Sequence, residues 1–157
     1  MAQKIHQSPL CNNEDAVSFV KQFLPYAKTI ADELGVPVEN ILGLAAQESQ
    51  WGSGRIASMY NNYFSMRAPA PYQNGESKAL GDPKVRVAHF IDKPTCGKSF
   101  VARWGDVVRN VTDPTEFGKA LVNAGFNTGN SKTGGRDDFV SYLKTIITNT
   151  KIRLGCE

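Results

Sequence analysis

The sequence predicts an α+β protein, mainly α, built as one helical domain with a small β-hairpin lobe. Three observations carry this prediction. Apolar residues recur at helical spacing from Phe19 to Trp51 and again beyond Cys96. Between Tyr63 and Asp92, Gly, Pro and Asn crowd around a single short strand-like run. The chain has 157 residues, 41% hydrophobic and 21% charged, which is the size and composition of one folded domain able to bury its own core.

Residues 1–12 read as an N-terminal tail, and residues 13–157 as a single domain. Asn13-Glu14-Asp15 precedes Phe19, Val20, Phe23, Leu24, Ala27, Ile30, Ala31 and Leu34, the spacing of a helix with one buried face that Gly35 stops. Pro25 falls inside this series, where it is expected to kink or divide the helix because it lacks an N–H. Pro37 opens a second helix running through Ile41, Leu42, Leu44, Ala45, Glu48 and Trp51 until Gly52-Ser53-Gly54. Asn74-Gly75 favours a tight hairpin turn, and Val85 to Phe90 reads as a strand. Further helices are expected near 96–108, 114–122 and 136–148, with a Gly- and Asn-rich loop from Gly125 to Gly135 before the last.

The net charge of +3 is small and evenly spread, which argues against nucleic-acid binding. No apolar run reaches membrane-spanning length, and the first residues lack the apolar core of a signal peptide, so the expectation is a chain made in the cytoplasm that does not insert into a membrane. Cys11, Cys96 and Cys156 have neither CxxC spacing nor paired histidines nearby, so neither a metal nor another cofactor is expected. One disulfide with one thiol is allowed, as are three inert thiols. The spacing does not choose among the pairings.

The most informative residue is Glu48. Ile41, Leu44, Ala45 and Glu48 follow the i, i+3, i+4, i+7 rule, so a carboxylate shares a helix face with core residues. Burial and the negative end of the helix dipole both disfavour its charged form. Each raises the pKa toward the value a general acid needs near neutral pH. The plainer reading is a structural acid that pairs with Arg55 or caps buried backbone groups.

Pro25-Tyr26-Ala27, Leu34-Gly35-Val36-Pro37, the run from Ile41 to Gly52 and Asn61-Asn62-Tyr63-Phe64 together carry the pattern AQxxxESxWG…NNxF. This pattern resembles the glucosaminidase family of peptidoglycan hydrolases, which includes the flagellar rod-cap hydrolase, autolysins and phage endolysins. The resemblance implies a lysozyme-like fold, Glu48 as catalytic acid and the glycan strands of peptidoglycan as substrate. Trp51 and Tyr63 offer flat surfaces to sugar faces, Asn61 and Asn62 offer amides to hydroxyl or N-acetyl groups, and Phe64 and Phe126 complete the substrate-binding candidates. Core packing for the aromatics and turn chemistry for the two asparagines are the competing roles.

Glycoside hydrolysis ordinarily needs a second carboxylate or help from the substrate's own N-acetyl group. Glu76 matches the family's β-lobe glutamate by its distance from Phe90 and is preferred; Asp82, in a Gly-Asp-Pro turn, is the weaker alternative. Three features depart from the family pattern: Phe126 stands where a Tyr is usual, Ser65 stands where a Gly commonly follows NNxF, and the loop Asn127 to Gly135 is longer. The resemblance implies cleavage of the β-1,4 bond after N-acetylglucosamine. The alternatives are a muramidase or lytic transglycosylase, or a module that binds peptidoglycan without cutting it. A compact catalytic domain of this kind resembles the glucosaminidase toxins injected by type VI secretion systems. That setting implies action in the periplasm of a rival cell and an immunity protein that occludes the cleft.

Overall fold

Asn13 starts the first helix by accepting a hydrogen bond from the Ala16 N–H at 3.1 Å, and Glu14 and Asp15 place negative charge at its N-terminus. The computed structural model describes residues 7–126 and 137–157. Six helices in it are α1 (Glu14–Leu34), α2 (Val38–Ser49), α3 (Arg55–Tyr60), α4 (Lys93–Val108), α5 (Pro114–Asn123) and α6 (Asp137–Leu154). A two-stranded antiparallel sheet, β1 (Gly75–Lys78) and β2 (Arg86–His89), stands between α3 and α4. This is the mainly helical architecture with a small β-hairpin lobe that the sequence predicts.

Pro25 does not divide α1, which runs unbroken to Leu34. The proline lies on the exposed face, while Phe23 and Ala27 on either side of it are buried. Packing of that face outweighs the one ladder bond that proline removes. Gly35 ends the helix in the left-handed region, at φ 69°, with its N–H on the Ala31 carbonyl.

α2 is the central helix, with every residue from Asn40 to Ala46 buried. It packs against α1 and α6, and Gly43 permits the closest approach: a Cβ there would lie 2.7 Å from Ile147 Cγ1. The helix closes at Ser49, two residues earlier than the spacing implies, so Trp51 lies outside it. α3 is an addition to the expected elements. It buries only Ala57 and follows directly on a Gly-Ser-Gly run, which hides it from apolar periodicity.

The hairpin turn also differs from expectation. Asn74-Gly75 opens β1 rather than closing the hairpin, because Asn74 N–H bonds His89 O at 2.9 Å and Gly75 pairs with His89. The chain reverses between Ala79 and Val85, joined by an N–H to O bond of 2.8 Å. Residues Met66 to Ala68 line the other edge of β2 through Ala88 N–H to Met66 O (3.0 Å) and Ala68 N–H to Arg86 O (2.9 Å).

Part of the segment read as a tail is tied into the domain. Pro9–Asn12 forms a 3-10 turn, and Cys11 is disulfide-bonded to Cys156, which selects one pairing among those the sequence allows. Cys96 is buried and outside any disulfide, and burial pushes its thiol up to about 12, so it stays uncharged. No helix is long and apolar enough to cross a membrane among the described residues. The loop Asn127 to Gly135 lies outside them.

Candidate active site

Glu48 occupies the last turn of α2, one turn beyond the fully buried Leu44 and Ala45. Its side chain is half-buried. Burial drives its pKa from 4.5 up to about 7, and the neighbouring Ser65 hydroxyl opposes that rise. Ser65 also donates to the Glu48 backbone carbonyl at 3.1 Å. That carbonyl is one of the helix-end acceptors without a partner inside the helix.

The chain leaves α2 through three successive residues with positive φ: Gln50 (52°), Trp51 (56°) and Gly52 (82°). Hydrogen bonds fold this segment back onto the helix end. Trp51 N–H reaches Ala46 O at 2.8 Å, Gly52 N–H reaches Ser49 Oγ at 2.9 Å, and Gly54 N–H reaches Ser49 O at 2.9 Å. At Gly52 a Cβ would stand 2.6 Å from the Phe19 ring, so glycine serves both the backbone and the packing there.

Asn61, Asn62, Tyr63 and Phe64 form a brace beneath the site. Asn61 ends α3 at φ 56° and donates its amide to Phe90 O (3.2 Å) and Ile91 O (3.3 Å). Asn62 is fully buried: its amide donates to Met66 O and Ala88 O, each at 2.9 Å, and its oxygen accepts from Met66 N–H at 2.8 Å. Tyr63 packs on Phe23 with ring centroids 4.9 Å apart, and Phe64 stacks on Phe100 at 4.5 Å. In this arrangement the motif welds the β-lobe to the helical body and delivers Ser65 beside Glu48. Ser65 itself has φ 52°, a backbone conformation that favours glycine.

Trp51 sits between Phe19, whose ring meets it edge-on at 6.4 Å, and the Arg153 guanidinium, 4.4 Å from its centroid. Phe126 contacts Trp104 in a T-shaped pair at 5.1 Å and also touches Phe139 and Phe100. These two aromatics therefore have protein partners in addition to whatever they offer a ligand.

Glu76 lies in β1 directly opposite Ala88, so both side chains project from the same face of the ribbon. Hydrogen bonds from Arg86 and Gln73 hold its carboxyl below the usual range, so it is ionised. Asp82 is exposed in the hairpin turn and accepts from Lys84 N–H at 2.9 Å, a local task. Arg55, the plainer partner for Glu48, instead lies over the Tyr60 ring at 5.7 Å.

A cavity of about 180 Å³ opens at Ser65, bounded by Arg67, Arg103, Trp104 and Phe126. The periodicity that singles out Glu48 gives no sign of Ser65, Arg67 or Arg103, which come from a loop and a distant helix. The only sequence signal is the serine where the family pattern has glycine. A larger groove, about 330 Å³ between α1 and α4, contains none of the candidate residues.

A core helix ending in an acid of pKa about 7, beneath a small β-lobe, is the plan of a lysozyme-like fold. The chain belongs to the glucosaminidase family, whose model, described as mannosyl-glycoprotein endo-beta-N-acetylglucosaminidase, matches residues 24–149. Among solved structures it resembles a chain of a type VI secretion system effector-immunity complex from Pseudomonas protegens. The two are 48% identical with a TM-score of 0.85, over 95% of this chain and 100% of that one. A peptidoglycan hydrolase from Sphingomonas sp. A1 shares the fold at 22% identity and TM-score 0.73, over 88% of this chain and 92% of the other. So does a glycoside hydrolase domain of Salmonella typhimurium FlgJ, at 20% identity and TM-score 0.60, over 87% and 97%. No curated protein sequence matches the chain.

Proposed function

We propose that this protein hydrolyses the glycan strands of peptidoglycan, cutting the β-1,4 bond on the reducing side of N-acetylglucosamine, with Glu48 as general acid. The observation that carries this reading is the placement of Glu48 at the end of the buried helix α2 beside Ser65, where burial raises its pKa to about 7. A carboxyl so poised is still substantially protonated at neutral pH and is acidic enough to give its proton to the glycosidic oxygen as the bond breaks. The family and the peptidoglycan hydrolase of the same fold support the reaction class and the substrate.

The charge that develops on the sugar needs a counterpart. Glu76 is ionised while Glu48 keeps its proton up to about pH 7, the division of labour that a pair of glycosidase carboxylates requires. In this reading closure of the β-lobe brings Glu76 toward the substrate, and the N-acetyl group of the cleaved sugar shares its task. Asn61, Asn62, Tyr63 and Phe64 act from below by holding the lobe and Ser65 in place, and Trp51 and Phe126 form parts of the cleft walls.

The resemblance to a chain of an effector-immunity complex supports a role as an antibacterial toxin delivered to the periplasm of a rival cell and blocked there by an immunity protein. Purifying the chain together with the product of the adjacent reading frame tests this. A complex in which peptidoglycan digestion stops is the expected result, and full digestion in the presence of that protein counts against it. Bond choice is read from the ends of the released fragments. Reducing N-acetylglucosamine ends support the proposal; reducing N-acetylmuramic acid ends indicate a muramidase, and anhydro ends a transglycosylase.

A further inference from the structure

Glu76 stands on the open face of the ribbon, yet each oxygen of its carboxylate has a protein donor. Oε2 accepts from Arg86 Nε, and Oε1 accepts from Gln73 Nε2 at 3.2 Å. Arg86 shares a face with Glu76 because Glu76 pairs with Ala88, two positions along β2, and strand side chains alternate.

Gln73 is fixed at its other end. Its Oε1 accepts from the Ala70 N–H at 2.8 Å, and its own N–H reaches the Ala70 carbonyl at 3.3 Å, which closes a tight turn from Ala70 to Gln73. Ala70 is buried, and the residues just before it are gripped from α4: Arg103 donates to the carbonyls of Arg67, at 3.0 Å, and of Pro69. Backbone and hydrogen bonds thus connect α4 through this loop and Gln73 to Glu76, where the connection meets Arg86 of β2.

The Arg86 and Glu76 side chains are 43% and 36% exposed, a setting in which an ion pair adds little to folding. Orientation is what two donors from different segments supply. A glutamate on a hairpin otherwise samples several rotamers. Held at both oxygens it is placed before the substrate arrives, and each oxygen keeps a second lone pair for the substrate.

We infer that Gln73 and Arg86 are positioning residues for Glu76: they hold its carboxylate in one orientation, and the Gln73 arm ties that orientation to α4 through the loop that Arg103 grips. The inference rests on the proposal that Glu76 serves the reaction opposite Glu48. Both residues act through Glu76 rather than on the sugar. The charged or titratable groups around the carboxylate are Arg86 and His89 on β2 and Lys78 on its own strand. Of these, only Arg86 bonds to it among the described residues. Removing that guanidinium, or the Gln73 amide, lets the carboxyl take up its proton at higher pH.

The test measures kcat and KM on soluble peptidoglycan strands as a function of pH for wild type, Glu76→Gln, Gln73→Leu, Arg86→Gln and Arg86→Lys, each shown by thermal melting to be folded. In Arg86→Gln and in Gln73→Leu, kcat should fall about tenfold with KM little changed, and the acid limb of the pH–rate profile should move to higher pH. Arg86→Lys should recover part of the loss. In a Glu76→Gln background, Arg86→Gln should cost nothing further, because its effect passes through Glu76. A wild-type kcat and acid limb in either single variant overturns the role of that residue, and a full additive loss in the double variant overturns the role of Arg86. Full activity in Glu76→Gln contradicts the reading of Glu76 as second carboxylate, and the inference falls with it. A slow Glu76→Gln beside unimpaired Gln73→Leu and Arg86→Gln sinks the inference alone. Should wild type cut no strands, the activity proposal fails, and carboxyl NMR titration decides the positioning. Glu76 should then titrate at higher pH in both single variants than in wild type, and an unchanged titration would overturn the inference.

Discussion

A carboxyl held near pKa 7 costs the folded chain stability in return for a usable proton. Between pH 4.5 and 7 folded Glu48 keeps a proton that the unfolded chain releases. Its contribution to stability is therefore greatest below about pH 4.5 and is lost as pH rises through 7, by at most about 3 kcal/mol. Glu48→Gln should match wild type in melting temperature near pH 4.5 and exceed it at pH 8; a variant less stable than wild type at pH 8 would contradict the burial argument. The pH–rate profile of wild type should fall on the alkaline side near 7, where the proton is lost. Ser65 lowers that limit, since its hydroxyl opposes the burial shift. Ser65→Gly relaxes the φ of 52° and removes the hydroxyl, so the alkaline limb should move to higher pH. A limb that stays in place or moves down would show that Ser65 does not act on the acid.

At the scale of elements, α2 holds the acid through its contacts with α1 and α6. Gly43 sets the α2–α6 spacing, and Gly43→Ala would press a methyl group onto Ile147 at 2.7 Å. Urea unfolding should show a loss of about 1–3 kcal/mol, and a neutral result would mean that the two helices can part without cost. The long helices are legible in the sequence because each carries a continuous apolar face, as from Phe19 to Leu34 in α1. Their ends are less legible: Trp51 keeps the helical spacing, yet the positive φ angles at Gln50 and Trp51 come from bonds to Ala46 and Ser49. α3 and the Met66–Ala68 edge are held by tertiary contacts rather than by any local pattern. Asn74-Gly75 reads as a turn dipeptide, but pairing with His89 draws it into β1.

For the whole molecule, the Cys11–Cys156 bond joins the chain across 145 residues, nearly end to end. Constraint of the unfolded chain over such a span contributes about 5 kcal/mol on the chain-entropy account. The bond sits in a wider clasp: Arg153 donates to Leu10 O at 3.2 Å and lies against Trp51, two positions beyond the end of α2. Reduction, or a Cys11→Ser/Cys156→Ser variant, should lower the melting temperature markedly. An unchanged melting temperature would leave the clasp without a stabilising role. The same scale explains what the sequence conceals about the site. Glu48 stands out because helical spacing places an acid among core residues. Its surroundings assemble from the loop after Phe64, from α4 and from Phe126, which no local pattern connects. The most direct test is digestion of purified peptidoglycan by wild type and by Glu48→Gln, read by mass spectrometry. The account predicts fragments with reducing N-acetylglucosamine ends from wild type, and a rate reduced by about 10²–10⁴-fold in a Glu48→Gln variant that still binds the strands. Undiminished release by Glu48→Gln would contradict it.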